Sequence, residues 1–263
     1  TYVPPLAIAL LLLGATPLLA AQRRAPRDRG GTSLLLEVKE EGAQTASAVE
    51  RTAAVIRKRC ARLGIYCHVG PRAGDAANRL ALRFSTTMDA GRVKRVLLAK
   101  GFELRAIVSI PYPFPMMEYA TRDESVVAAA ADRDVFPVEG YGQPETYIVT
   151  ESAPIITGDD LRDPIVTRAP SDAPGKGYAI DGWLSRKGSS RLKNWTRDNI
   201  HSYVAVIYDG RALDVPYIKA PIWTNIVISG GFSRREAEDV AAALAGGNLP
   251  VPVEVLEEGT YKP

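Results

Sequence analysis

The chain predicts an α+β fold, and three observations carry that prediction. Residues 33–109 alternate compact apolar runs with helical periodicities in the order strand, helix, strand, strand, helix, strand. A further strand–helix–strand closes the chain, from Ile226 to Leu256. Between the two lies a stretch interrupted by Pro111, Pro113 and Pro115, which breaks any continuous repeat of one supersecondary unit.

The first block opens with SLLLEV, Ser33 to Val38, a compact apolar run that reads as a buried strand. Ala46, Val49, Ala53, Ile56, Cys60 and Leu63 then recur at spacings of three and four, which is one face of a helix. Ser47 with Glu50 fits a capping box at its start, and Gly64 fits its stop. Residues 65–69 read as a strand, and NRLALRFS alternates Leu80, Leu82 and Phe84 toward one face. Asp89 caps a second helix carrying Val93, Val96 and Leu97, stopped by Gly101, and residues 102–109 form the closing strand. Two interlocked β-α-β units of this kind give a ferredoxin-like arrangement, with helices on one face of an antiparallel sheet.

The middle is built differently. PYPFPMMEY fits neither regular helix nor central strand, because proline lacks the N–H donor and fixes φ. It reads as a hinge or crossover. Residues 120–145 are polar and alanine-rich, with one short helix around Ser125 to Ala131. Short strands return at 147–150, 165–168 and 178–184, followed by a helix near 190–201. Two apolar runs flank Asp209-Gly210, from Val204 to Tyr208 and from Leu213 to Ile218, which is a hairpin signal. At the end, Ser233 with Glu236 forms a second capping box. Ala237, Val240, Ala241 and Leu244 make a buried stripe, Gly246-Gly247 terminates it, and 251–256 is the last strand. This closing unit is able to join the first sheet, which makes the middle an insertion.

Composition restricts the function classes. With 263 residues, 46% hydrophobic and 24% charged, the chain is long enough for a stable core. A net charge of +3 does not argue for nucleic acid. Much of the excess sits at Arg23, Arg24, Arg27 and Arg29 in the linker 22–31, either a solvated charged segment or a cluster touching anionic headgroups. Residues 3–21 carry no charge and are rich in Leu and Ala. At 1.5 Å per residue they reach about 28 Å, enough for a bilayer core, so 1–21 is a signal peptide or a single membrane anchor. Either way, the remainder is expected on the exported side. Cys60 and Cys67 are compatible with a pair in an oxidising compartment and with two buried thiols.

The residue inventory disfavours an enzyme. His68 and His201 are the two histidines, and Cys67-His68, adjacent on a strand, point to opposite faces. No Gly-x-Ser-x-Gly elbow occurs, and Gly175-Lys176-Gly177 is too short for a phosphate loop. Cys60, Cys67 and His68 are too few for zinc. Gly230-Gly231 before the helix capped by Ser233 reads as a tight strand-to-helix turn rather than an anion site. No catalytic residue, metal or cofactor is expected.

Three stretches together resemble the SecD family. The first is Gly30-Gly31-Thr32-Ser33-Leu34 running into LLEV and then AVERTAAVIRKRCARLG. The second is PIITGDDLRDP, from Pro154 to Pro164. The third runs from Val204 to Pro263, with its Asp-Gly hairpin, a Gly-x-Phe before an alanine-rich helix, and a Leu-Pro-x-Pro-x-Glu exit in that order. Their order and spacing cover most of residues 30–263. Departures are Pro26-Arg27-Asp28-Arg29 ahead of the Gly pair, Leu213-Asp214-Val215-Pro216 in the hairpin, and Asn248-Leu249-Pro250 in place of the family's Ala-Leu-Pro. The charged membrane helices that the family uses for proton-linked work are not in this sequence. A fragment of a longer SecD and a stand-alone paralogue are both compatible with it.

The resemblance implies an exported domain in two parts: a ferredoxin-like base of residues 32–110 and 221–258, and an inserted head of residues 111–220. It further implies a non-enzymatic role in protein export, with the head holding emerging unfolded secretory polypeptide and with SecF-like and SecYEG-type translocon subunits as partners. The competing expectation is an adaptor that docks on a membrane partner and holds no client. Holding a client requires exposed apolar surface on a movable module. Phe114, Met116, Met117, Phe136 and Tyr141 are the candidates, with packing into the head's own core as the competing role for each.

Overall fold

A computed structural model describes residues 30–40, 44–72, 74–138, 145–170 and 177–262. In chain order its elements are β1 (Gly31–Val38), α1 (Thr45–Leu63), β2 (Tyr66–Gly70), β3 (Arg79–Ser85), α2 (Ala90–Leu98), β4 (Phe102–Ala106), α3 (Arg122–Ala128), β5 (Arg133–Val138) and β6 (Thr146–Glu151). They continue with β7 (Ile156–Thr157), β8 (Leu161–Arg168), β9 (Tyr178–Leu184), α4 (Arg186–Asp198), β10 (Val204–Tyr208), β11 (Arg211–Asp214), β12 (Asn225–Phe232), α5 (Arg234–Gly246) and β13 (Val253–Tyr261). The fold is α+β.

The strands form three sheets. The first is four-stranded, in the order β13-β1-β3-β2, and antiparallel throughout. Leu34, Leu36 and Val38 of β1 and Leu80, Leu82 and Phe84 of β3 share its covered face, as a period of two requires. Ala48, Val49, Ala53 and Ile56 of α1 and Val93 and Leu97 of α2 close that core. The second sheet is six-stranded, β6-β5-β11-β10-β4-β7, with β5 and β11 parallel. The third is β12-β9-β8. The largest apolar core lies between the second and third sheets and α5, with Phe102, Leu104, Ile180, Leu192, Val204, Ile228 and Leu244 among its members.

Sheet membership corrects two expectations. Residues 102–106 do not close the first sheet. They pair with β10 and β7 in the second, and β13 takes the vacant edge beside β1. Residues 225–232 pair with β9 rather than with the first sheet, so the closing strand–helix–strand is divided between two sheets. Local hydrophobic alternation makes a strand; the sheet it joins depends on partners far away in sequence.

Helix boundaries show the same split between local and distant causes. Asp89 caps α2 by accepting from the Arg92 N–H, and Ser233 and Glu236 form a reciprocal capping box on α5. Gly64 ends α1 at φ 68°, where it donates back to the last turn. Ser47 and Glu50, in contrast, do not cap α1. The helix begins at Thr45, whose hydroxyl donates to the Glu40 carbonyl. The short helix expected at 125–131 begins earlier, after Thr121, which forms a capping box with Glu124. Cys60 and Cys67 are joined by a disulfide with the Cα atoms 6.2 Å apart, which ties the end of α1 to β2.

Candidate functional site

The prolines of segment 110–118 keep it out of either regular structure, and it lies across one end of the second sheet. The Tyr112 N–H donates to the His201 carbonyl, the Met117 N–H to the Ser109 hydroxyl, and the Tyr203 hydroxyl to the Phe114 carbonyl. These bonds hold the backbone and leave apolar side chains outward. Ile110, Tyr112, Phe114 and Met117 are 52%, 43%, 58% and 43% exposed, a concentration of apolar surface within eight residues.

Tyr112 stacks on Tyr217 with ring centroids 4.2 Å apart, and Tyr203 meets Tyr217 edge-on. Tyr217 in turn lines a groove of about 430 Å3 between residues 216–222 and β12, floored by Phe102, Leu104, Val204 and Val206. Val227, 45% exposed, stands on its β12 wall. Strand β12 is an edge strand of the third sheet, and its residues 225–228 line the groove. The Lys219 ammonium lies 5.3 Å from the Tyr217 ring centroid at the rim.

The expected site residues divide. Phe114 and Met117 are on this surface. Met116 and Phe136 are half-buried and pack on Ile107, Ile148, Ala205 and Ile207 on the other face of the second sheet, where the Arg105 guanidinium lies 5.2 Å from the Phe136 ring centroid. Tyr141 lies outside the described residues. Sequence reasoning missed Ile110, Tyr112 and Tyr217. The signal for the first two was present, since they adjoin the same prolines. Tyr217 joins the surface only because β10 brings Tyr203 beside it, through the Tyr203–Tyr217 bridge.

The segment PIITGDDLRDP forms a junction. Asp160 is buried. Its Oδ2 accepts from the Thr157 N–H, its Oδ1 from the Ser185 hydroxyl, and it is ion-paired with Arg191, so one carboxylate fixes the turn 158–160 to the start of α4. Asn248 completes the junction. Its amide group exchanges two hydrogen bonds with the Phe102 backbone, at 2.9 and 3.0 Å, and its N–H donates to Asp159. A Cβ at Gly101 or Gly158 would fall 2.1 or 2.3 Å from Asn248 Oδ1, so both positions need glycine for this close approach. The residue that departs from the family's alanine is thus the hub linking β4, the 158–160 turn and the end of α5. No cluster of three or more His, Cys, Asp and Glu able to hold a metal occurs among the described residues.

The geometry defines a class: an α+β domain with exposed apolar surface and no metal-holding His/Cys/Asp/Glu cluster among the described residues. A profile of the SecDF P1 head subdomain matches residues 133–251. The Protein translocase subunit SecD of Aquifex aeolicus is 25% identical over 216 residues, 82% of this chain and 40% of that protein. A solved SecDF in a super-membrane-facing form superposes with a TM-score of 0.65 at 20% identity, covering 92% of this chain and 32% of that one. A second, described as a membrane component SecDF that enhances protein export, gives 0.61 at 20% identity over 86% of this chain and 98% of that one. The chain is similar to the SecD family of protein translocase subunits along most of its length. It spans about 40% of the length of the curated relative it matches.

Proposed function

We propose that this chain acts on the extracytoplasmic side of a SecD-type export subunit and holds emerging unfolded polypeptide without catalysing a reaction. One observation carries the proposal. Ile110, Tyr112, Phe114 and Met117 are exposed within one eight-residue segment, and Tyr112 joins that segment to the groove by stacking on Tyr217. An unfolded chain offers scattered apolar side chains and unpaired backbone groups. The first fit the surface, and the second fit the free edge of β12.

In this reading β1-α1-β2-β3-α2 with β13 is the ferredoxin-like base, its strand order β13-β1-β3-β2 being that of a split β-α-β pair. The head then runs from β4 to β12, wider than residues 111–220, with α5 between the two parts. SecF-like and SecYEG-type subunits are the proposed partners, and residues 1–21 the proposed signal or anchor.

The test is a titration of the purified protein into a fluorescently labelled unfolded secretory polypeptide, followed by anisotropy, with the folded form as control. Saturable binding of the unfolded form alone is expected, with Phe114→Ser plus Met117→Ser weakening it about tenfold, since each removes a large exposed apolar side chain. Absence of binding at high micromolar concentration would sink the client-holding role and favour the adaptor.

A further inference from the structure

We propose that α4 and the two tryptophans beside it form a docking face for an anionic lipid bilayer surface. Helix α4 reads RKGSSRLKNWTRD, with five basic residues and one acid. Leu192 and Thr196 bury its inner side, which turns the charges outward. The pairs Arg191–Asp160 and Arg197–Asp198 satisfy two of the five. Arg186, Lys187 and Lys193 have no carboxylate partner among the described residues.

The second observation is aromatic. Trp223 is 56% exposed and Trp183 is 54% exposed. The Lys193 ammonium lies 3.9 Å from the Trp223 ring centroid, and the Trp223 carbonyl accepts from the Ser189 hydroxyl, so Trp223 flanks the basic face. Trp183 is paired with Asn225, two residues from Trp223, which brings the second indole to the same end of the third sheet. Indoles beside basic side chains suit the boundary of a bilayer, where the ring enters the headgroup layer and the cations meet lipid phosphates.

Charge complementarity and shape choose the occupant. The face is the convex outside of a helix and lines no part of the apolar groove, so it offers a plane rather than a slot. Asp160, Asp181 and Asp198 are acids close by, and Asp160 is the buried partner of Arg191. Asp198 is paired within α4, and Asp181 accepts from the Asn225 amide.

The test uses the whole protein on vesicles. Residues 3–21 are themselves apolar, so total binding does not report on this face; quenching of tryptophan emission by brominated lipid chains does. Trp195 is half-buried against the core and serves as the internal reference. Vesicles of phosphatidylcholine with about one-third brominated phosphatidylglycerol are expected to quench Trp183 and Trp223, and salt to reverse it. The triple variant R186E/K187E/K193E is expected to weaken the effect about a hundredfold with an unchanged circular dichroism spectrum. Should that variant misfold, Lys187→Gln with Lys193→Gln makes the same measurement, about tenfold weaker being expected. Equal quenching by neutral brominated vesicles, or by the charge variants, overturns the proposal. So does binding of polyglutamate without lipid quenching, which would assign the face to an acidic polypeptide instead.

Discussion

Arg59 is fully buried and forms no ion pair within salt-bridge distance among the described residues. Its guanidinium donates to the carbonyls of Leu97 and Ala99 at the end of α2, at 2.9 and 2.6 Å, and to Ala243 and Gly247 at the end of α5, at 3.1 and 2.7 Å. The ends of helices carry unpaired carbonyls and partial negative charge, so one cation on α1 satisfies two helix ends at once. Burial pulls its pKa down to about 10, partly offset by Tyr208, Asp209 and Asp159, which leaves it charged at neutral pH. Arg59→Ala strands these acceptors and is expected to cost about 3 kcal/mol or more in urea unfolding, with Arg59→Lys in between because a single ammonium cannot span both helices. A loss under about 1 kcal/mol would contradict the clamp. In the sequence Arg59 is one of several basic residues in VIRKRCARL; only the packing of α2 and α5 around it separates it from its neighbours.

Asp214 is a second residue decided by its surroundings. Burial at the end of β11 raises its pKa, against the pull of the Val215 N–H and the Ser229 hydroxyl. A carboxyl whose folded pKa is raised binds more protons in the folded state. Its contribution is therefore fully present below the ordinary carboxylate pKa and is lost as pH rises through the raised value. Asp214→Asn is expected to remove that mildly acidic slope from a stability–pH profile and to raise stability at neutral pH. An unchanged profile would show that the site is more open to water than its burial implies.

At the scale of elements, α1 was the most legible, because its apolar stripe repeats over 19 residues and Gly64 marks its end. Its start was not, since Thr45 closes onto a carbonyl five residues back, a contact that no capping pattern encodes. The disulfide fixes its other end. Closing so short a loop restricts the unfolded chain by about 2.5 kcal/mol in the chain-entropy model. Unfolding with and without reductant is expected to differ by that amount, and replacing both Cys60 and Cys67 with alanine is expected to abolish the difference; equal stability in reductant would mean the bond adds nothing. Strand β5 escaped the sequence reading because Pro137 and a polar context mask it. It pairs with β6 along six residues, Arg133 to Val138 opposite Glu151 to Thr146, and contributes a single parallel pair to β11, Val138 beside Ala212.

At the scale of the molecule, α5 packs on one side in the large core and on the other against α2. Ala237, Val240, Ala241 and Leu244 enter the large core, while Ala242 and Ala243 meet Val96 and Ala99 of α2. Arg92 of α2 chelates Asp239 of α5, at 2.8 and 2.7 Å, beside the same contact. Any motion of α5 relative to α2 would have to keep these bonds or break them together with those of Arg59.

The sequence by itself determined the α+β class, most helices and strands, the Asp209-Gly210 turn, the cap of α5 and the family resemblance. Each depends on residues within a few positions of one another, where periodicity and turn chemistry act directly. Only the tertiary structure decided that β13 rather than β4 completes the first sheet, that β12 belongs to the third, and that Phe114 and Met117 are outward while Met116 and Phe136 are packed. An apolar strand accepts any edge of matching register, and an apolar side chain any core. Which it meets is fixed by the closure of the whole chain.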